Sequence, residues 1–280
     1  MIDDLPPLRE VIARHGLSAR KTLGQNFLLD LNLTARIARA TDPLEEFNFL
    51  EIGPGPGGLT RALLAEGAAH VTAIERDRRC IGALEEIAAH YPGRLTVIEG
   101  DALQIDHQSI VQQPVKIAAN LPYNISVVLL TRWLTAEPWP PWFKSLTLMF
   151  QKEVAERITA LPGTKSYGRI SVLAAVKAHS NRLFDVHPSA FTPPPKVTSA
   201  IVQLTPESQE FESLNIATLE RVTAAAFGQR RKMLRQSLKP LGVPIDLLLE
   251  NTSLEATMRA ENVPPEAFCQ IAVNLDGAQT

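Results

Sequence analysis

The sequence predicts an α/β fold, an open and mostly parallel sheet flanked by helices, followed by a small C-terminal all-helical domain. Three observations predict it. A glycine-dense turn, EIGPGPGG at 51–58, joins a short apolar run to a helical stretch. The next apolar run ends in an acid, Glu75, 22 residues after Gly53. Beyond residue 213 neither glycine turns nor strand alternation recur, and the apolar spacing is helical.

Taken in order, residues 3–15 read as a short amphipathic helix. RKTLGQNFLLD, at 20–30, lacks strand alternation and reads as an ordered polar loop ahead of a helix at 31–41. The run 47–52 is apolar enough for a buried strand, and a helix starts near Gly58. The rhythm then repeats: strand 71–74, helix 78–90, strand 95–98 with the turn Gly100-Asp101-Ala102, strand 115–119 and helix 125–135. EPWPPWF, at 137–143, can be neither helix nor central strand, so Trp139 and Trp142 should pack at the surface or meet a partner.

A fifth strand at 146–150 and helices at 152–160 and 168–178 follow. Antiparallel strands at 182–187 and 196–204 are joined by PSAFTPPPK, which sets Phe191 on a stiff loop. The polar stretch TPESQEFES, 205–213, marks the boundary between domains 1–205 and 206–280. Helices are expected at about 215–227, 230–239, 244–250 and 264–274.

Composition narrows the function classes. The chain has 280 residues, 45% of them hydrophobic, and no apolar run long enough to span a bilayer. Its acidic, proline-bearing start does not resemble a secretory signal. Cys80 and Cys269 stand alone, so neither a disulfide nor a metal site is expected, and a cytoplasmic location fits. The net charge of −2 does not advertise a nucleic-acid binder, but binding depends on local patches. Arg230, Arg231, Lys232, Arg235 and Lys239 come without an acid among them. A helix over 230–239 would stack Arg231, Arg235 and Lys239 along one side as an RNA contact, or as a solvated face.

The chemistry concentrates at strand ends. In open α/β sheets ligands sit at the carboxyl ends of the strands, so Gly53, Glu75, Asp101 and Asn120 should converge on one site. Glycines let a ligand approach the backbone, and a carboxylate at Glu75 is placed to grip ribose hydroxyls. Asp101 could accept from an adenine amino group, or simply cap a turn. In ANLPYNI, 119–125, Asn120 offers an amide oxygen, Leu121 a carbonyl fixed ahead of Pro122, and Tyr123 an aromatic face. Together they suit a planar base bearing an amine; an ordinary turn at a strand end is the competing reading.

Seven blocks in order carry a resemblance: RKTLGQNFLLD, EIGPGPGGLT, AIERD, GDAL, NLPYNI, FTPPPKVTSAIV and AFGQRRKMLRQSLK. Across about residues 18–240 the chain resembles the ribosomal RNA adenine dimethyltransferase family, the group of the bacterial kasugamycin-sensitivity enzyme. The resemblance implies a Rossmann-like S-adenosylmethionine methyltransferase sheet. It also implies transfer of two methyl groups to each exocyclic amine of two adjacent adenosines near the 3′ end of 16S ribosomal RNA. The implied partner is the small ribosomal subunit, as an immature 30S particle, met by a monomer. Asn26, Leu28, Gly53, Glu75, Asp101 and Asn120 would contact S-adenosylmethionine. Asn120, Leu121, Pro122 and Tyr123 would hold the target amine, and Phe191 would close over the adenine. The chain departs from the family at Thr22-Leu23, where a basic residue and an aromatic are frequent. The competing classes are a non-catalytic RNA-binding ribosome assembly factor on the same fold, a nicotinamide oxidoreductase, and a large-subunit methylase. The intact Asn120-Pro122-Tyr123 set, the glycine spacing and FTPPPKV respectively disfavour them.

Overall fold

The computed structural model describes residues 3–20, 23–207 and 214–279, which leaves Lys21, Thr22 and residues 208–213 of the expected boundary outside the described residues. The chain runs α1 (Leu8–Arg14), β1 (Phe27–Leu28), α2 (Leu31–Arg39), β2 (Asn48–Ile52), α3 (Gly58–Ala65), β3 (His70–Glu75), α4 (Arg78–His90), β4 (Leu95–Glu99) and β5 (Val115–Ala119). It continues through α5 (Tyr123–Leu134), β6 (Leu146–Gln151), α6 (Lys152–Ile158), α7 (Arg169–Lys177), β7 (Ala178–Val186), β8 (Phe191–Thr192) and β9 (Ser199–Pro206). The C-terminal part is helical: α8 (Ile216–Gly228), α9 (Leu234–Ser237), α10 (Ile245–Leu248) and α11 (Pro265–Gln279).

Seven strands form one sheet in the order β4-β3-β2-β5-β6-β9-β7. The pairs β4-β3, β3-β2, β2-β5 and β5-β6 are parallel, and β6-β9 is antiparallel. Continuous apolar strings build the centre. Phe49, Leu50, Val71, Ala73, Val115 and Ile117 are fully buried, as expected for strands covered on both faces. The register sets Ile52 beside Ile74 and Glu75 beside Glu99. One edge of the sheet therefore receives the carboxyl ends of β2, β3 and β4 at the same height.

The chain divides into two compact units. The first comprises residues 1–130, 142–155 and 181–205; the second comprises 131–141, 156–180 and 206–280. The second unit thus includes residues upstream of 206. Within it α7 packs on α8 and α11. The Phe227 ring lies 5.8 Å from Tyr167 and 5.6 Å from Phe268, and the Tyr167 hydroxyl donates to the Val263 carbonyl at 2.9 Å. Trp139 is half-buried, with its Nε1 donating to the Glu207 carbonyl at 2.7 Å and the Lys177 ammonium 4.4 Å from its ring.

Two expectations need correction. Within 20–30 there is a strand after all: β1 pairs antiparallel with β8, Phe27 opposite Thr192 and Leu28 opposite Phe191. And no continuous helix covers 230–239. Met233 is extended at φ −68°, ψ 153° and bridges Arg259; the Leu234 and Arg235 N–H groups donate to the carbonyls of Met258 and Ala256. Those amides are spent on another segment, which leaves helix only at α9 and a 3₁₀ turn at Lys239–Leu241. Arg230 is half-buried and paired, its Nε 2.9 Å from Glu261 Oε2, whereas Arg231, Lys232, Arg235 and Lys239 are exposed.

The turn into α3 depends on glycine. Gly57 caps the helix at φ +90°, and a Cβ there would overlap the Ile87 Cδ1 methyl of α4. Gly57→Ala is expected to cost about 1–3 kcal/mol, from backbone strain and overpacking together. The midpoint of urea unfolding measures it.

Candidate active site

The glycine turn after β2 is held between two walls. Gly53 (φ +67°) donates its N–H to the Ile74 carbonyl at 2.9 Å, and a Cβ on it would stand 3.4 Å from Pro122 Cδ. Gly55 (φ +57°) donates its N–H to Glu75 Oε2 at 2.8 Å, and a Cβ on it would lie 3.3 Å from the Phe27 ring. Bare backbone is thus pressed between the 23–28 segment and the NLPY segment. A side chain at Gly53 or Gly55 would be strained at these φ values, and one at Gly55 would crowd the Phe27 ring.

One cavity opens above this turn. Asn26, Leu28, Gly53, Glu75, Asp101, Asn120, Leu121, Pro122 and Tyr123 all line it, together with Glu51, Gln25 and Arg76. Four strand ends far apart in sequence therefore supply a single site, as the fold rule requires. Glu75 is 4% exposed; Oε1 accepts the Asp77 N–H at 2.7 Å and Oε2 the Gly55 N–H. Each oxygen keeps further acceptor capacity for a ligand hydroxyl. Burial pushes the Glu75 pKa up, opposed by the N–H groups of Asp77 and Gly55. Asp101 takes the turn-cap role that the sequence also offered. Oδ1 accepts the Leu103 N–H at 3.0 Å as a turn cap, while Oδ2 lies 3.3 Å from Arg76 Nη1 at the cavity wall.

Asn120 leaves β5 with its amide Nδ2 3.5 Å from the Asn26 carbonyl, a long hydrogen bond that turns the donor end of the amide toward the loop. Its oxygen remains available as an acceptor. Leu121 is buried, and its carbonyl is held by Pro122, which restricts the residue before it. Tyr123 begins α5 and shares a hydrogen bond with Ser199 Oγ at 2.6 Å, which pins the ring. Burial pushes its pKa up, so it remains a neutral phenol.

Phe191 is placed differently from expectation. It is 3% exposed, packs in the same apolar cluster as Leu28 and does not line the cavity. Its pairing with Leu28 explains this: β8 carries the ring into the core rather than over a ligand. Two residues were missed around the site, Gln25 and Asp77, and Glu51, the acid that leads into the glycine turn, was given no contact of its own. Glu51 carried a signal, an acid inside the run FNFLEI. It is 1% exposed, accepts the Thr60 hydroxyl at 2.6 Å, and burial pushes its pKa up to about 8. Gln25 and Asp77 bond each other, Nε2 to Oδ2 at 2.9 Å. The Arg79 guanidinium on Asp77 holds that carboxyl down to about 2.

The raised Glu51 value has a definite sign. The folded chain holds a proton on this group that the unfolded chain, near 4.5, releases, so the contribution is complete below that value and is lost as pH rises through about 8. Glu51→Gln should remove this part of the decline. The difference in unfolding midpoint between wild type and variant, followed from pH about 5 to about 8.5, measures it.

A family model described as ribosomal RNA adenine dimethylase matches residues 16–276. The ribosomal RNA small subunit methyltransferase A of Xanthobacter autotrophicus is 62% identical over 272 residues, 97% of this chain and 94% of that protein. The protein of the same name from Ruegeria pomeroyi is 60% identical over 274 residues, 98% of each chain. Among solved structures, a dimethyladenosine transferase from Plasmodium falciparum has a TM-score of 0.76 at 28% identity, covering 89% of this chain and 96% of its own. The 23S rRNA methyltransferase ErmE has 0.70 at 26%, covering 90% and 100%. With the model matching nearly the whole chain and relatives this similar along their full lengths, the chain belongs to the ribosomal RNA adenine dimethylase family.

Proposed function

We propose that this enzyme uses S-adenosylmethionine to dimethylate the exocyclic amines of two adjacent adenosines near the 3′ end of 16S ribosomal RNA. The reading includes an immature 30S particle as substrate, a monomeric enzyme and a cytoplasmic setting. The observation that carries it is the single cavity lined by Gly53, Glu75, Asp101 and the Asn120–Tyr123 segment. The names of the relatives similar to this chain support the small subunit as target. No helix among the described residues is long and apolar enough to cross a membrane.

The residues present fit this cofactor. Bare backbone at Gly53 and Gly55, both at positive φ, lets a ligand approach the turn closely, and a Cβ at Gly55 would crowd Phe27. Glu75 has spare acceptor capacity for ribose hydroxyls, and Asp101 Oδ2 for an amino group. When bound, S-adenosylmethionine supplies a sulfonium methyl that a nitrogen can take directly. What the chain must do is prepare the nitrogen. An adenine amine is a poor nucleophile because its lone pair is delocalised into the ring. Accepting its hydrogens at Asn120 Oδ1 and the Leu121 carbonyl favours a pyramidal nitrogen and stabilises the positive charge that develops on it. The Tyr123 ring, pinned by Ser199, offers a stacking face that offsets the few kcal/mol of unstacking the base. The exposed Arg231, Lys232, Arg235 and Lys239 supply phosphate contacts.

Labelled methyl transfer to immature small subunits, followed by nuclease digestion and base analysis, tests the reading. Dimethyladenine in small-subunit RNA is expected. Binding without label overturns it in favour of an assembly scaffold, and label in large-subunit RNA moves the target. Asn120→Ala should lower turnover about 10²- to 10³-fold, by analogy with the loss of one oxyanion-hole donor, while RNA affinity is retained. Single-turnover rates and filter binding separate the two. Arg231→Glu combined with Arg235→Glu should weaken RNA binding and flatten its dependence on salt by about one released counterion per residue, read from affinities across a salt series.

A further inference from the structure

The loop that walls the cavity on the N-terminal side is held by side chains with no direct part in methyl transfer. Asp77, 4% exposed, caps α4 and binds the Arg79 guanidinium through both carboxylate oxygens, at 2.9 and 2.6 Å. Arg79 Nη2 reaches across to the Ser18 carbonyl at 3.1 Å. Asp77 Oδ2 also accepts Gln25 Nε2 at 2.9 Å, and Gln25 Oε1 accepts the Arg20 N–H at 2.9 Å. The amide of Gln25 therefore joins the start of the loop to the start of α4 through both of its ends.

The next links lead to the reacting groups. The residue after Gln25 is Asn26, whose carbonyl accepts the Asn120 amide. On the other side, the Asp77 N–H donates to Glu75 Oε1, the carboxylate assigned to the methyl donor's ribose. Hydrogen bonds thus run from Glu75 through Asp77 to Gln25, and after one step along the backbone the Asn26 carbonyl carries the connection to Asn120. It ends on the group that has to present an oxygen, not an NH₂, to the target amine.

We propose that Gln25 is a positioning residue for methyl transfer: by tying the 20–26 loop to Asp77 it holds the Asn26 carbonyl against Asn120 Nδ2, and so turns Asn120 Oδ1 toward the amine. This rests on the proposed roles of Asn120 and Glu75. An amide rotates about its last side-chain bond with little preference between its two faces, so an external partner must choose which end points inward. The Asn26 carbonyl is that partner. Its place is set on one side by the β1–β8 pair and on the other by the fastening of the loop through Gln25.

The experiment measures steady-state methylation of small-subunit particles by wild type, Gln25→Ala, Asp77→Asn and the double variant, each after a check of thermal unfolding. Gln25→Ala should lower kcat about tenfold, while the KM for RNA changes less than about twofold, the pattern of an interaction felt at the reacting centre. In the Asp77→Asn background, Gln25→Ala should cost little more, since the partner is already altered. Full kcat in Gln25→Ala, or additive losses in the double variant, overturns the proposal. Gln25→Glu gives an independent readout through pH. Its new carboxyl faces the Asp77 carboxylate and cannot donate while ionised, so kcat relative to wild type should be low at about pH 8 and recover toward about pH 5, where protonation restores a donor. A flat ratio overturns the proposal. If wild type places no methyl on adenosine, both the parent reading and this one fall; if wild type is active and the variants match it, only the role of Gln25 falls.

Discussion

A side chain at residue 53 would begin in van der Waals contact with the Pro122 ring. That close approach is the constraint on which the rest of the site depends. The glycine turn and the NLPY segment leave neighbouring parallel strands, β2 and β5, and must lean toward each other to enclose a ligand. A Cβ at Gly53 would meet the proline ring at 3.4 Å, and one at Gly55 the Phe27 ring at 3.3 Å. The turn can lie between both walls because it is bare backbone, at positive φ, anchored by Ile74 and Glu75. The walls of the cavity are thereby brought together by local backbone geometry. Proximity of this kind is a large share of what a bimolecular group transfer needs.

The sheet and most of the cavity were legible because their signals are local. Apolar runs, a glycine turn and an acid at a strand end identify βα units, and the rule about carboxyl ends then gathers Gly53, Glu75, Asp101 and Asn120. What was illegible depends on partners distant in sequence. The β1-β8 pair joins two residues near position 27 to two near 191, too short for any alternation to register. That pairing also turned Phe191 from an expected lid into core. The run from Arg230 to Lys239 has helical charge spacing, yet its backbone amides bond the segment 256–258. Glu261, 31 residues on, takes Arg230. Charge spacing on an exposed face is a weak guide when the backbone has a better partner elsewhere.

The electrostatics of the cavity follow from burial. Two carboxyls, Glu51 and Glu75, lie within it almost out of contact with water, and burial pushes both pKa values up. Hydroxyl and backbone N–H donors satisfy both of them. Arg76, 3.3 Å from Asp101 Oδ2, is a cation on the cavity wall.

An amide at position 120 suits this setting better than a stronger acceptor would. On the proposed reading a carboxylate there would accept the amine's hydrogens more strongly, but it would add a fourth acid to a cavity already lined by Glu51, Glu75 and Asp101. Like charges and burial would drive one of them to take up a proton, and a protonated acid donates where acceptance is needed. The amide carries no charge, so its oxygen accepts at any working pH. Its weakness is that oxygen and nitrogen ends are nearly the same shape, and only the surroundings distinguish them. In this chain the Asn26 carbonyl does so, from a segment about a hundred residues earlier. The orientation of the Asn120 amide at the end of β5 is therefore linked to a loop fastened to α4, and on the proposed reading sequence distance from the NLPY motif says little about importance to the reaction.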